Sequence, residues 1–241
     1  MISVRTKLYF SMENPILQQF FVFTFPERHD KMCSYLYFSF LRGQTMDSNF
    51  FALISRMRYI ARWGLMRNAL PENIQEHSHM VAVLAHALGV IRRDIFHQPC
   101  DVNALATAAL YHDASEILTG DLPTPIKYHN AEIMSAYHAV EDLAVQKLLG
   151  MLPPELRETY ADVLAEDKDG DIYPLVKAAD KLSAYIKCIE ERKAGNNEFL
   201  SAEAQTRAAL EASPLPEVQY FLEHFIPAFE RDLDELGAIG Q

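Results

Sequence analysis

The sequence is poor in cysteine, poor in basic side chains and free of long apolar runs. Its three cysteines, Cys33, Cys100 and Cys188, are widely spaced without a CxxC pair, which argues against a disulfide framework and favours free thiols in a reducing cytosol. The net charge of −11 gives no surplus of cations for binding a nucleic-acid polymer. No apolar stretch reaches the ~18 to 20 residues of a membrane span, and the charge order of a signal peptide is missing. We therefore predict a cytoplasmic protein that binds neither a nucleic-acid polymer nor a membrane.

Three common catalytic motifs are also missing. The sequence contains no GxxxxGK, HExxH or GxSxG, which argues against a P-loop nucleotidase, a zincin protease and a serine hydrolase of the α/β class. What remains is a chain with 49% hydrophobic residues, which is enough to bury one substantial core.

The first 45 residues differ in composition from the rest of the chain. They hold five basic and three acidic residues and ten of the 25 Phe and Tyr residues, without a steady helical or strand period. We predict a working domain over residues 46–241. Residues 1–45 are interpreted as an extension or as the product of upstream translation, and an ordinary N-terminal β-hairpin is the alternative.

From Met46 onward the apolar residues recur at helical spacing. One stripe runs along Ile74, His77, Val81, Leu84, Leu88, Ile91 and Ile95. Possible caps and helix ends are Asp47, Ser48, Asp101, Asn103, Gly150 and Gly195. No convincing strand alternation interrupts the helices, so the sequence predicts an all-α domain built as a helical bundle.

The stretch "LYHDASEILTGDLPTP" crowds four ionisable side chains into ten positions. A helix continuing through it would turn His112, Asp113 and Glu116 toward one cavity. Gly120 and two prolines then predict the end of the helix and a stiff loop that carries Asp121. A His-Asp pair alone is weak support for a metal site, because such a site needs further ligands.

Two further side chains could complete such a site. His77 lies on the apolar stripe, where its imidazole would otherwise need a buried hydrogen-bond partner. Asp180 follows two alanines, which allow a neighbouring helix to approach closely. The alternatives are a core histidine with satisfied nitrogens and a carboxylate paired with Lys177 or Lys181. Together with the His-Asp pair, the two residues give the order His, His-Asp, Asp on three predicted helices.

That order resembles the HD-domain metal-dependent phosphohydrolases. The likeness extends to "RWGLMRN", "ENIQEHS", "YHDASEILTGDLPTPIKY", "KAADKLSAYIKC" and "AGNNEF", and within the family it is greatest to the bacterial 5′-deoxynucleotidases. Gly64 departs from the family pattern, in which a proline follows the Arg-Trp pair. The resemblance covers the chain from Met46 to its end. It implies an HD-domain helical bundle, a homodimer, a divalent metal, and hydrolysis of deoxyribonucleoside 5′-monophosphates to nucleoside and phosphate.

The resemblance also implies a set of site residues. The implied metal ligands are His77, His112, Asp113 and Asp180. Two imidazoles and two carboxylates suit a transition metal such as Co, Mn or Zn better than magnesium. The implied substrate contacts are Arg62, Trp63, His77, Asp113, Asp121, Leu122, Pro123, Thr124 and Asp180.

Three of these substrate contacts, together with Glu116, have side chains whose chemistry suits a phosphomonoester. Arg62 offers a planar fork for the phosphate, although a surface cation at a helix end is the alternative, and Trp63 offers a flat face for the sugar. Glu116 can orient the attacking water or accept its proton, and Asp121 can reach the leaving oxygen. Which carboxyl is the base and which the acid stays open, although charge counting favours Asp121 as the general acid.

Two other functions remain open at this point. One is another HD-type hydrolase, acting on cyclic dinucleotides or alarmones, which should show further metal ligands or basic pockets. The other is a non-catalytic regulator that keeps the fold and binds nucleotides only. A complete ligand set together with Glu116 argues against the regulator.

Overall fold

The structure is a computed structural model that describes residues 47–127, 129–165 and 170–237; the predicted extension over 1–45 lies outside them. The described residues form helices and no β-strand, which confirms the all-α prediction. The helices are α1 (Phe50–Ile54), α2 (Ile74–Val90), α3 (Val102–Tyr111), α4 (Glu116–Thr119), α5 (Thr124–Lys127), α6 (Ala131–Gly150), α7 (Pro154–Leu164), α8 (Tyr173–Lys193), α9 (Leu200–Glu211) and α10 (Pro216–His224). None of these described helices has the length and apolar character that crossing a bilayer requires.

Local side-chain chemistry sets several helix ends as predicted. Asp101 caps α3, because its carboxylate accepts hydrogen bonds from the backbone N–H groups of the second and third helical residues. Gly150 is the last residue of α6. Gly195 follows α8 with φ +82°, a left-handed conformation that glycine adopts without strain.

The predicted start of the first helix is wrong. Asn49, rather than Asp47 or Ser48, occupies the cap position of α1, and its side chain makes no capping hydrogen bond. The Ser48 Oγ accepts from the Phe50 N–H at 3.5 Å and donates to the carbonyl of Met151 at 2.7 Å, and the second contact is one that sequence periodicity cannot reveal. After five residues α1 passes into a 3₁₀ segment, Ser55–Tyr59.

The apolar stripe of α2 is buried except at its end. A π-helical turn, Ile91–Ile95, follows the α-helix, and its wider spacing rotates later side chains away from the stripe. Ile95 is consequently 48% exposed, so its predicted burial is wrong. The other stripe residues are buried: Ile74, His77, Val81, Leu84, Leu88 and Ile91.

The helix predicted through the His-Asp pair is interrupted. α3 ends at Tyr111, and residues 112–115 form turns before α4 begins at Glu116. The turn stays compact, because the Glu116 N–H donates to the Asp113 carbonyl at 3.0 Å. Gly120 ends α4 with φ +75°, and α5 begins at Thr124, so the stiff loop is shorter than predicted.

The main apolar core joins the elements that carry the site. Leu88 of α2, Leu105 of α3 and Leu182 of α8 belong to one buried cluster, which side chains of α9 and α10 also line. This cluster fixes α2, α3 and α8 against one another. A second cluster joins α1, α6 and α7 to Ala114, in the turn that follows the His-Asp pair.

Candidate active site

The structure brings the four predicted metal ligands together. The ligand atoms of His77, His112 and Asp180 lie within 4.8 Å of one another. The Nε2 atom of His77 lies 3.1 Å from Asp180 Oδ1. Asp113 lies at the edge of this group, with Oδ2 3.6 Å from His77 Nε2 and 3.2 Å from His112 Nε2. Side chains from α2, α8 and the turn after α3 thus converge on one point.

Each imidazole is oriented by its other nitrogen. His112 Nδ1 lies 2.7 Å from the Ala109 carbonyl, which can only accept, so Nδ1 carries the proton and Nε2 is a free acceptor. His77 Nδ1 shares a hydrogen bond with the Ser183 hydroxyl at 3.1 Å. Both Nε2 atoms are buried, and within the described part of the chain neither has a hydrogen-bond partner. Two unpaired ring nitrogens beside two carboxylates fit a divalent cation, and they argue against a satisfied core histidine at position 77.

The electrostatics of the centre also suit a cation. Burial opposes ionisation of Asp113, but the neighbouring His112 and His77 and the Arg62 guanidinium hold its pKa well below the usual range. Burial likewise opposes ionisation of Asp180, but the neighbouring His77, whose Nε2 lies 3.1 Å from Oδ1, holds that pKa low as well. Both carboxylates therefore stay ionised at neutral pH and concentrate negative charge where the imidazoles converge.

Arg62 links this centre to a neighbouring loop. Its Nη1 lies 3.3 Å from Asp113 Oδ2, while its Nε donates to Glu72 Oε2 at 3.1 Å. The indole N–H of Trp63 donates to that same Glu72 oxygen at 3.0 Å. The Arg62 side chain is 13% exposed, which excludes the alternative of a surface cation at a helix end.

Glu72 is a residue that the sequence prediction missed. Besides its side-chain bonds, its carbonyl accepts from the Arg62 N–H at 3.0 Å, and an antiparallel bridge next to it pairs Ala61 with Asn73. These contacts close the segment between Arg62 and Glu72 into a loop, named here the Arg-Trp loop. Glu72 belongs to the recognised "ENIQEHS" neighbourhood, but nothing in the spacing indicates its partners.

Trp63 has an unusual backbone conformation within the Arg-Trp loop. Its φ of +59° is left-handed, which is rare for a bulky residue and costs energy. The half-buried indole packs beside the ring of Phe199, with ring centroids 5.2 Å apart and planes tilted by 60°. The surroundings therefore impose the orientation of Trp63.

Glu116 and Asp121 form a second pair of carboxyl groups with the opposite behaviour. Burial, together with the charges of Asp113 and Asp121, raises the pKa of Glu116 to about 10. Burial also raises the pKa of Asp121, although Arg62 and a backbone hydrogen bond from Trp63 oppose it. Two carboxyls whose pKa values are raised, beside two whose pKa values are lowered, are typical of a site with separate acid–base and ligand groups.

The remaining predicted residues lie along the stiff loop. Leu122 and Pro123 are half-buried, and the exposed Thr124 begins α5. This segment follows Asp121 directly. The backbone hydrogen bond from Trp63 to Asp121 brings Asp121 to the Arg-Trp loop.

Comparisons with known proteins agree with this geometry. A family model described as 5′-deoxynucleotidase YfbR-like matches residues 49–229. The curated 5′-deoxynucleotidases YfbR of Shigella boydii and Escherichia coli are each 50% identical to this chain over 192 residues, which cover 79% of this chain and 96% of the relative.

Solved structures give the fold. An HD-domain phosphohydrolase from Listeria innocua superposes with a TM-score of 0.68 at 25% identity, over 77% of this chain and 90% of that one. The PH0347 protein from Pyrococcus horikoshii has the same fold, with a TM-score of 0.58 at 21% identity over 76% of this chain and 98% of its own. With its helical bundle, its His, His-Asp, Asp arrangement and these matches, the chain belongs to the YfbR-like 5′-deoxynucleotidase family of HD-domain phosphohydrolases.

Proposed function

We propose that this protein is a metal-dependent 5′-deoxynucleotidase that hydrolyses deoxyribonucleoside 5′-monophosphates to deoxyribonucleoside and phosphate. The observation that carries the proposal is that Arg62 contacts Asp113, which lies beside the His77, His112 and Asp180 group, within one buried site. A phosphate held between this guanidinium and a cation would have its charge neutralised from two sides. The relatives at 50% identity, named as 5′-deoxynucleotidases, support the same substrate class.

The cofactor is a divalent cation held by the side chains of His77, His112, Asp113 and Asp180. Two imidazoles favour a transition metal, with cobalt, manganese and zinc as the candidates. When bound, the cation supplies the positive charge that activates a water and polarises the phosphoryl group.

The protein's own residues position the substrate and move protons. Arg62 orients the phosphate, and His77, Asp113 and Asp180 surround that phosphate as further substrate contacts. Glu116 accepts a proton from the attacking water in its ionised form, which a cation bound at the neighbouring ligands would favour. The water oxygen bonds to phosphorus, the bond from phosphorus to O5′ breaks, and Asp121, whose pKa burial raises, gives a proton to O5′.

The sugar meets a wall that offers little hydrogen bonding. We assign this wall to Trp63 and to the segment Leu122, Pro123 and Thr124. An indole face pressed against C2′ cannot pair a ribose 2′-hydroxyl, and an unpaired buried hydroxyl costs about 1 to 3 kcal/mol, or roughly tenfold to a hundredfold in rate. We therefore expect strong preference for deoxyribose and tolerance of several bases.

The experiment is a phosphate-release screen of nucleotides with each divalent metal. We expect turnover of 2′-deoxynucleoside 5′-monophosphates, with kcat/KM for dAMP well above that for AMP, and no turnover of 3′-phosphates. Trp63→Ala is the control, because it should reduce the discrimination. Release from cyclic dinucleotides or alarmones alone would favour another HD-type hydrolase, and binding without release in any metal would favour a regulator.

The quaternary structure and boundaries are part of the same proposal. Residues 46–241 form the working domain, which is supported by the relatives, because 192 residues of this chain align with 96% of a relative's length.

The protein is a homodimer, supported by Val140 and Leu143, which expose apolar side chains one helical turn apart on α6. It is cytoplasmic, supported by the free thiols of Cys100 and Cys188. Light scattering after size-exclusion chromatography tests the dimer.

A further inference from the structure

One buried carboxylate, that of Glu191, holds the Arg-Trp loop on α8. Glu191 is fully buried near the end of that helix. It accepts hydrogen bonds from the backbone N–H groups of Ala69 at 2.8 Å and Leu70 at 3.0 Å, both in the Arg-Trp loop. The loop backbone is therefore bonded to a residue more than a hundred positions away in the sequence.

Two polar side chains bridge Glu191 and the same loop. The Lys187 ammonium donates to Glu191 and to the Leu70 carbonyl. Asn196 Nδ2 donates to Glu191 Oε2 at 2.8 Å and to the Arg67 carbonyl at 2.7 Å. Each donor thus contacts the carboxylate on one side and a loop carbonyl on the other. We name Lys187, Glu191 and Asn196 the loop clamp.

The loop clamp lies beside the strained residue of the loop. The chain continues from Asn196 to Phe199, whose ring packs against the Trp63 indole. On the other side Asn68 donates to the carbonyls of Trp63 and Met66. A left-handed backbone conformation at Trp63 persists only where the surrounding contacts hold it, and these contacts hold it here.

The charge of the clamp indicates a role beyond stability. Burial acts to raise the pKa of Glu191, but the hydrogen bonds from Lys187, Asn196 and the loop N–H groups have the larger effect and lower it to about 2. The carboxylate is therefore ionised. A buried ion pair is a poor source of stability compared with apolar packing. Here the members of the pair form hydrogen bonds with the loop backbone, and apolar residues could not fix the positions of those backbone groups.

We propose that Glu191 is a positioning residue that fixes the Arg-Trp loop so that Arg62 and Trp63 meet the phosphate and the sugar. It acts through the loop backbone and does not touch the substrate. Asp180 and Ser183 lie on the same face of α8, so one helix face sets both the metal ligands and the substrate loop.

The first test uses the fact that Trp63 is the only tryptophan of the chain, so its fluorescence reports on the loop. In the full-length protein, Glu191→Gln should shift Trp63 emission to longer wavelength and steepen its quenching by acrylamide. The matched control is Glu190→Gln, which changes the exposed neighbour on the same helix turn and should leave both signals unchanged. Circular dichroism checks that each variant is folded. Unchanged Trp63 emission in folded Glu191→Gln overturns the inference.

The second test is kinetic and rests on the proposed function. A misplaced loop should raise KM for dAMP roughly tenfold to a hundredfold, with a smaller fall in kcat, because the groups that perform the chemistry stay in place. Metal affinity, measured by calorimetry, should stay unchanged, because the loop clamp holds the loop backbone, whereas Asp180 lies on an earlier turn of α8 and the other proposed ligands lie on α2 and in the turn after α3. A wild-type KM, or a loss confined to kcat and metal affinity, overturns the positioning role.

A milder variant covers the case in which Glu191→Gln does not fold. Asn196→Ala removes the bonds to Arg67 and Glu191 but leaves the ion pair with Lys187, so it should give a smaller emission shift of the same sign. Unchanged emission in this variant would also overturn the inference. If the wild-type protein fails to hydrolyse dAMP, the proposed function fails, whereas the fluorescence comparison still decides the role of Glu191.

Discussion

Replacing Glu116 with glutamine should stabilise the metal-free protein while it slows catalysis. The side chain is 7% exposed, and within the described part of the chain its Oε2 has no hydrogen-bond partner. Burial and the charges of Asp113 and Asp121 raise its pKa from 4.5 to about 10. Because the folded-state pKa is raised, the linked stability is complete below about pH 4.5 and is lost as the pH rises toward 10.

The magnitude follows from the interval between 4.5 and the working pH. Each pH unit above 4.5 costs the folded state about 1.4 kcal/mol, so the penalty at pH 7 is about 3 kcal/mol. Glu116→Gln has the shape of the protonated acid without this penalty, and its Tm should be higher by roughly 6 to 12 °C at pH 7. The same change should lower kcat by roughly 10² to 10⁴, as expected when a proton acceptor is lost.

The assay is calorimetric unfolding of chelator-treated protein at pH 5 and pH 7, repeated with manganese. The gain of Glu116→Gln should be small at pH 5, large at pH 7, and reduced by the metal, because a nearby cation favours the carboxylate. Glu132→Gln, at an exposed position on α6, is the control and should change little. A variant that is less stable than the wild type at pH 7, or a gain that is equal at both pH values, would refute the reasoning.

Three further outcomes test other parts of the site. Chelation should abolish turnover and lower the Tm, and a transition metal should restore both. The metal should restore neither in His112→Ala, which lacks a proposed ligand. Full activity after chelation would contradict the metal role. Glu72→Ala removes the shared acceptor of Arg62 and Trp63, so KM for dAMP should rise about tenfold; an unchanged KM would show that the loop holds both side chains without it. Deleting residues 1–45 should leave a folded, active enzyme, since the family match begins at residue 49; an inactive or aggregated product would show that they belong to the domain.

The helix boundaries that could be predicted are those set by local chemistry. The Asp101 cap and the glycine ends at Gly150 and Gly195 depend on residues within one turn, which the sequence displays. The failures depend on distant partners or on altered geometry. Ser48 bonds to a carbonyl 103 residues away, and the π-helical turn displaces Ile95 without a glycine or proline to mark it.

The same distinction separates the site residues that were predicted from those that were missed. His77 and Asp180 were predictable, because each is an ionisable residue in an otherwise apolar or small-residue context. Glu72 and Glu191 resemble ordinary charged residues in the sequence. Their partners become apparent only when the loop folds back on α8, where Glu191 bonds to backbone groups 121 and 122 residues earlier.

One face of α8 carries both the residues at the proposed metal site and the residues that hold the Arg-Trp loop, so both should be lost together when the enzyme is inactivated. Asp180 and Ser183 belong to one part of this 21-residue helix, and Lys187 and Glu191 to the next turns. Amide protons in a buried helix exchange with solvent only when a cooperative unit opens. Opening α8 would release Asp180, which we propose as a cation ligand, and the Arg-Trp loop in the same event, so inactivation by heat or denaturant should follow hydrogen exchange in this one helix.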